Sequence, residues 1–169
     1  KKDKHLPLRQ NIYIMALQIG DKAPSFQLFN TDKQSIFLDD YTGKNVVILF
    51  FPLAFTGVCT AELCSLRDDI ASYKNLEAHV VGISVDSLFT LEKFRTEQNL
   101  NFPLLSDFNK ETATAYGAIY EEFAFGMKGV AKRSAFVVDG NGIIQYAEVL
   151  ASAGDLPNFE AIKATLASL

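Results

Sequence analysis

Residues 45–64 read NVVILFFPLAFTGVCTAELC, and the change of character along this stretch decides the fold. Asn45 to Phe51 is β-branched and aromatic with no polar alternation, as expected of a central strand covered on both faces. Pro52 and Gly57 then break the run. From Ala61 onward apolar residues recur at helical spacing, at Leu63, Leu66 and Ile70, while Glu62, Arg67, Asp68 and Asp69 fall to the other faces of the predicted helix. His79 to Val85 (HVVGISV) repeats the character of the first strand. Two buried-type strands joined by a helix make a βαβ unit, whose strands run parallel.

Working outward, Leu88 to Asn99 predicts a second amphipathic helix with Leu88, Leu91 and Phe94 inward and Arg95 and Gln98 outside. Pro103, Leu104 and Leu105 suggest a short third strand, and Thr112 to Tyr116 a brief helix. Glu121 to Ala131 carries two glycines and two phenylalanines in a long loop on the active-site side. Ser134 to Asp139, the turn Gly140-Asn141-Gly142, and Ile143 to Val149 predict a hairpin. A last helix is expected over Phe159 to Leu169, with Pro157 near its start. Phe26 to Leu28 and Ser35 to Leu38 predict an additional N-terminal β-hairpin. The whole is an α/β fold, and its order resembles a thioredoxin-like arrangement: a central mixed sheet flanked by helices.

At 169 residues there is room for one ordinary domain, assigned to 15–169. Residues 1–14 are set aside as an N-terminal extension, disordered or not native to the domain, because Met15 opens the segment that starts to look folded. Nearly half the residues are hydrophobic and about a fifth charged, the balance of a globular chain. A formal charge of -4 offers no positive field for phosphate backbones or anionic lipid, so neither nucleic acid nor membrane is expected as a partner. The longest apolar run, Val46 to Phe55, is interrupted by Pro52 and falls far short of the roughly 20 residues of a bilayer span. No export signal is visible, and two cysteines close together do not make a secreted disulfide scaffold. A reducing compartment, the cytoplasm, is expected.

Those two cysteines carry the chemistry. Cys59 follows the strand-to-helix turn and falls in the first helical turn, where free backbone N–H groups and the helix dipole favour an anion. The thiolate is the nucleophilic form of cysteine. Bringing an ordinary thiol from a pKa of about 8.5 to about 6 takes roughly 3.4 kcal/mol, whereas a helix terminus supplies about 0.3 to 1. A cation and hydroxyl donors are therefore needed. Thr56, three residues before Cys59, and Arg133, just ahead of the predicted SAFVVD strand, are the candidates. Taken singly, each has an ordinary explanation: a buried cysteine is usually packing, such a threonine a helix cap, such an arginine a solvated charge.

Together, Pro52, Thr56 and Cys59 fill the pattern P-x-x-x-T-x-x-C at a strand-to-helix turn, and here the chain resembles the peroxiredoxins of the AhpC/TSA superfamily. The resemblance extends over residues 15 to 169, through GDKAPSFQL, VVILFFP, FPLLSD and KRSAFVVDGNGIIQYAE. FFPLAFTGVC looks most like the branch named for alkyl hydroperoxide reductase E. The resemblance implies a peroxidatic Cys59, with Thr56 and Arg133 orienting the peroxide, Pro52 shielding the pocket, and Glu62 helping to position Arg133. The thiolate would attack the terminal peroxide oxygen and become a sulfenic acid, which a reductant must restore.

At Cys64 the resemblance divides. The alkyl hydroperoxide reductase E branch is similar to a one-cysteine enzyme there, whereas C-x4-C resembles the resolving arrangement of bacterioferritin comigratory proteins. Residues five apart in a helix are too far apart for a disulfide without movement. Our expectation is that the first turns unwind and Cys64 resolves; the other reading leaves it packed in the helix. A dithiol/disulfide oxidoreductase or redox-sensing module is the rival function, but its C-x-x-C spacing is missing. Two cysteines with the distant His5 and His79 supply no metal ligand set, and no cofactor is expected. Phe55, Phe123, Phe125 and Met127 are expected to shape peroxide preference, hydrogen peroxide and organic hydroperoxides both remaining open. By resemblance the reductant is thioredoxin or another thiol, a glutaredoxin or a mycothiol-like system, and the chain forms a homodimer through its active-site side.

Overall fold

The apolar run that opens the key stretch lies near the centre of a seven-stranded mixed sheet. The computed structural model describes residues 16–169; the extension assigned to residues 1–14, and His5 within it, lie outside the described residues. In chain order the elements are β1 (Gln27–Asn30), β2 (Ser35–Phe37), β3 (Asn45–Phe50), α1 (Gly57–Asp68), α2 (Ile70–Asn75) and β4 (Ala78–Ser84). There follow α3 (Leu88–Glu97), β5 (Leu104–Ser106), α4 (Glu111–Ala115), β6 (Ser134–Val138), β7 (Ile144–Val149) and α5 (Phe159–Ala167). The sheet order is β2-β1-β5-β4-β3-β6-β7. The β3–β4 and β4–β5 pairs are parallel, and the N-terminal hairpin joins the sheet by pairing β1 antiparallel to β5. The fold is thioredoxin-like, with that hairpin added at one edge.

The lack of polar alternation in β3 follows from its two covered faces. Val47, Leu49 and Phe51 pack with Leu63 and Leu66 of α1, Leu91 and Phe94 of α3, and Ile162 and Leu166 of α5. Val46, Ile48 and Phe50 point the other way, into a cluster with Phe136, Ala113, Tyr116 and Phe26. Successive side chains alternate between two cores, so both must be apolar. Burying such side chains contributes about 1.5–3 kcal/mol each, and this holds β3 between the two cores from which the following turn departs.

Three details differ from the sequence reading. The helix expected to run through Ile70 breaks at Asp69, whose carboxylate accepts from Ser72 Oγ and from Lys163 Nζ of α5, so Ile70 opens α2 instead. The last helix starts at Phe159 as expected, Asn158 capping it after Pro157 with its side chain accepting from Ala161 N at 3.0 Å, but it ends at Ala167, short of Leu169. Arg95 and Gln98 of the second amphipathic helix are not free surface groups. Arg95 Nη1 donates to Thr31 Oγ1, and Gln98 receives the Cys64 thiol.

Candidate active site

β3 delivers the chain to the site. Phe51 N still donates to Ile83 O of β4, after which Pro52 ends the ladder, having no N–H to give. The turn that follows is held by side chains: Ala54 N donates to Asp86 Oδ2 at 2.8 Å, and Thr56 Oγ1 to Leu53 O at 2.7 Å. Phe55 adopts a left-handed φ of 63° and packs its ring on Phe94, with centroids 5.1 Å apart. A non-glycine residue held there stores strain, which the surrounding contacts must offset. Thr56 has the extended backbone of an N-cap, yet its hydroxyl is committed to Leu53 rather than to the helix. The first turn of α1 therefore keeps its amide donors for whatever sits in front of it.

Cys59 is the third residue of that helix and is buried. Arg133, immediately before β6, is also buried, at 1% exposure, and its guanidinium is divided among three neighbours. Nη2 lies 3.3 Å from Cys59 Sγ, Nη2 and Nε donate to Ala153 O at 3.0 and 3.3 Å, and Nη1 pairs with Glu62 Oε2. Glu62, which periodicity sets off the apolar face of the helix, is turned into the protein against Arg133, the partner the resemblance implies: it is fully buried, and Oε1 has no partner among the described residues. Burial pushes the Glu62 carboxyl up to about 7, against the opposing pull of Arg133. Cys59 and Glu62, two acids three residues apart on α1, share one buried cation.

In front of the sulfur is a cavity of about 270 Å³ lined by Pro52, Thr56, Val58, Cys59, Arg133 and Phe123, with Ala153 and Gly154 closing one side. It is small and largely apolar, with the sulfur and the guanidinium at its base. Pro52, Thr56 and Cys59 from the turn after β3, and Arg133 from the approach to β6, therefore converge on one pocket. Of the four side chains expected to shape it, Phe123 lines the wall; Phe125 is fully exposed, Phe55 is turned onto α3, and Met127 is exposed and does not line the cavity. The Ala153 carbonyl was not identified from sequence, since a backbone acceptor carries no residue signal. A larger cleft of about 810 Å³, bounded by Lys22, Tyr41, Val46 and Asp139, lies at the opposite end of β3 and is lined by neither cysteine.

Cys64 is not in this pocket. It is half-buried further along α1, where its thiol donates to Gln98 Oε1 at 3.5 Å and Arg67 Nη1 lies 3.7 Å from the sulfur. Both thiols are free. Five residues along a helix amount to a rise of about 7.5 Å and a rotation of about 140°, so the two cysteines cannot bond while α1 is intact.

Residues 19–147 match the model of the AhpC/TSA family. Alkyl hydroperoxide reductase E of Mycobacterium tuberculosis is 41% identical over 136 residues, 79% of this chain and 86% of that protein. Among solved structures, peroxidoxin BcpB of M. tuberculosis superposes with a TM-score of 0.80 at 27% identity, covering 90% of this chain and 98% of its own. AhpC of M. tuberculosis does so with a TM-score of 0.77 at 30% identity, covering 89% and 92%. The chain belongs to the AhpC/TSA family, the peroxiredoxins.

Proposed function

We propose that this member of the AhpC/TSA family reduces hydrogen peroxide and small organic hydroperoxides at Cys59. The chain is a thiol-dependent peroxidase; the assignment of its parts is our reading, and the observation that carries it is the approach of Arg133 Nη2 to Cys59 Sγ at the base of the cavity. The Cys59 thiolate attacks the terminal oxygen, the S–O bond forms as the O–O bond breaks, and the departing oxygen takes a proton to leave as water or an alcohol. The sulfur is oxidised by two electrons to the sulfenic acid. Arg133 donates to both sulfur and the reacting oxygens, where charge shifts from one to the other, and its two bonds to Ala153 O hold the fork in place beforehand. Thr56, on the cavity wall, orients the peroxide, and Pro52 excludes water. Glu62 positions Arg133 from behind.

Cys64 then resolves the sulfenic acid once the start of α1 opens. Its sulfur attacks Cys59 Sγ, the S–O bond breaks, and the hydroxide leaves as water with the proton that Cys64 surrendered. Thioredoxin or another thiol reductant reduces the disulfide. A homodimer in the cytoplasm is the setting we favour; no helix among the described residues is long and apolar enough to cross a membrane.

The test is stopped-flow or competition kinetics with hydrogen peroxide on reduced wild type, Cys59→Ser and Cys64→Ser, with mass spectrometry of the products. We expect oxidation to be lost only in Cys59→Ser, and an intramolecular disulfide to be lost in Cys64→Ser. Fast oxidation that leaves wild-type Cys64 free would mean a one-cysteine enzyme. Undiminished peroxide consumption by Cys59→Ser would overturn the assignment of the nucleophile.

A further inference from the structure

The surroundings of Cys64 are built from residues that the reaction at Cys59 does not use. Arg67, one turn further along α1, reaches back to place Nη1 3.7 Å from the Cys64 sulfur, and the same nitrogen donates to Gln98 O at 2.6 Å. Gln98 Oε1 accepts the thiol proton. Asn101 Nδ2 closes the arrangement by donating to Arg67 O at 3.2 Å. The last turn of α1 is thereby tied to the end of α3, while Gly57, Val58 and Ala61 near its start are exposed. An opening that starts at the N-terminal end of the helix meets this tie at Cys64.

We propose that Arg67 serves the resolving step: it holds Cys64 as the stationary partner to which Cys59 is brought, and it stabilises the negative charge on the Cys64 sulfur as that atom attacks. The inference rests on the reading of Cys64 as the resolving thiol. A guanidinium remains charged throughout and offers several donors, so one nitrogen can serve both the Gln98 carbonyl and the sulfur. The other charged groups nearby are engaged elsewhere. Asp68 takes Arg67 Nε at 2.8 Å, Glu97 pairs with Lys93, and Arg95 faces Thr31 and Asp32. Arg67 is thus the cation that faces this sulfur. The step is the displacement described above: the S–S bond forms, the S–O bond of the sulfenic acid breaks, and water carries off the hydroxyl and the Cys64 proton. No oxidant beyond the peroxide already consumed is needed.

The experiment mixes reduced wild type, Arg67→Gln and Arg67→Lys with one equivalent of hydrogen peroxide. Samples are quenched in time, and the sulfenic and disulfide forms are counted by mass spectrometry between pH 6 and 9. Arg67→Gln should oxidise Cys59 at the wild-type rate but form the disulfide about tenfold more slowly near neutral pH, the loss expected for one hydrogen bond to a developing charge. Its rate should recover toward wild type as alkali supplies the thiolate directly, and Arg67→Lys, which keeps a cation, should stay near wild type. An unchanged or faster disulfide step in Arg67→Gln would overturn the proposal. So would a slowing that is independent of pH and not rescued by lysine, which would mark Arg67 as an anchor alone. If wild type itself forms no disulfide, the reading of Cys64 fails, and that is seen before any variant is compared.

Discussion

Replacing Glu62 by glutamine tests the electrostatics of the buried trio most directly, because the exchange keeps the shape and removes only the titration. The Glu62 carboxyl is raised from an ordinary 4.5 to about 7 by burial, Arg133 offsetting part of that cost. A carboxyl whose folded-state value is raised binds more protons when folded than when unfolded across the interval between the two values. Stability is therefore fully present below about 4.5 and is lost as pH rises through about 7. At about 1.4 kcal/mol per pH unit the whole interval corresponds to about 3 kcal/mol, of which about 2 to 3 falls between pH 5 and 8. Glutamine has no such dependence.

The assay is urea unfolding of reduced wild type and Glu62→Gln at several pH values from 5 to 8, with the slopes checked for equality. Wild type should lose about 2 to 3 kcal/mol relative to the variant as pH rises, titrating groups away from this trio cancelling in the difference. Desolvation of the carboxylate outweighs its attraction to Arg133, a balance found in many buried ion pairs. A difference that does not vary with pH, with the variant less stable throughout by about 3 to 5 kcal/mol, would refute it. Glu62 would then be ionised across the range, and the pair an ordinary buried salt bridge.

Other expectations concern single contacts. Arg133→Lys loses the fork that reaches Cys59, Glu62 and Ala153 together, and should slow Cys59 oxidation by about 100-fold or more in rapid-mixing kinetics, with peroxide consumption the readout. Thr56→Val removes the hydroxyl oxygen from the cavity wall together with its bond to Leu53 O, and a fall of about 10- to 100-fold in the same rate is expected. Gly140→Ala should leave that rate untouched while costing about 1–3 kcal/mol in urea unfolding, because the new Cβ would sit 2.9 Å from the Gly43 backbone across the hydrogen bond from Gly43 N to Gly140 O.

The strands at the centre of the sheet were legible because burial on two faces leaves a continuous apolar run that few other structures produce: Val46 to Phe51 serves two cores at once. The helix after the turn was legible in its apolar face, through Leu63 and Leu66, but its polar residues were misplaced. Glu62 goes inward because Arg133, 71 residues away, is already buried there, and helical periodicity carries no record of a partner so distant. The break at Asp69 has the same origin, since Lys163 of α5 helps hold it. At the site, Thr56, Cys59 and Arg133 could be named because their chemistry is written in residue type, and Pro52 through the resemblance its motif carries. The Ala153 carbonyl could not, and Phe123 could be separated from Phe125 only once the loop over residues 121–129 was folded. The neighbours of Cys64 were hidden for a third reason: Gln98 was assigned to solvent by a periodicity that treats an uncharged amide as surface.

The two thiols share a helix yet stand in different energetic positions, and the difference sets the order of events under the proposed reading. Opening the first turns of α1 takes Leu63 out of a fully buried site, at about 1.5–3 kcal/mol, and strips buried Arg133 of its hydrogen bond to Glu62, at about 1.5–3 kcal/mol for a bond to a charged group. A total of about 4 kcal/mol keeps the open form near one molecule in a thousand while Cys59 is reduced, so the peroxide meets an assembled pocket. Oxidation changes one side of that balance. A thiolate beside Arg133 is an ion held by an ion, whereas a sulfenic acid at the same place is neutral and bulkier by an oxygen, so the contact at Cys59 weakens after the chemistry that needed it. The tie from Arg67 to Gln98 is untouched by this change, because no atom of it borders Cys59. The helix should therefore yield from its oxidised end and hold at its other, which brings the sulfur that has reacted to the one that has not.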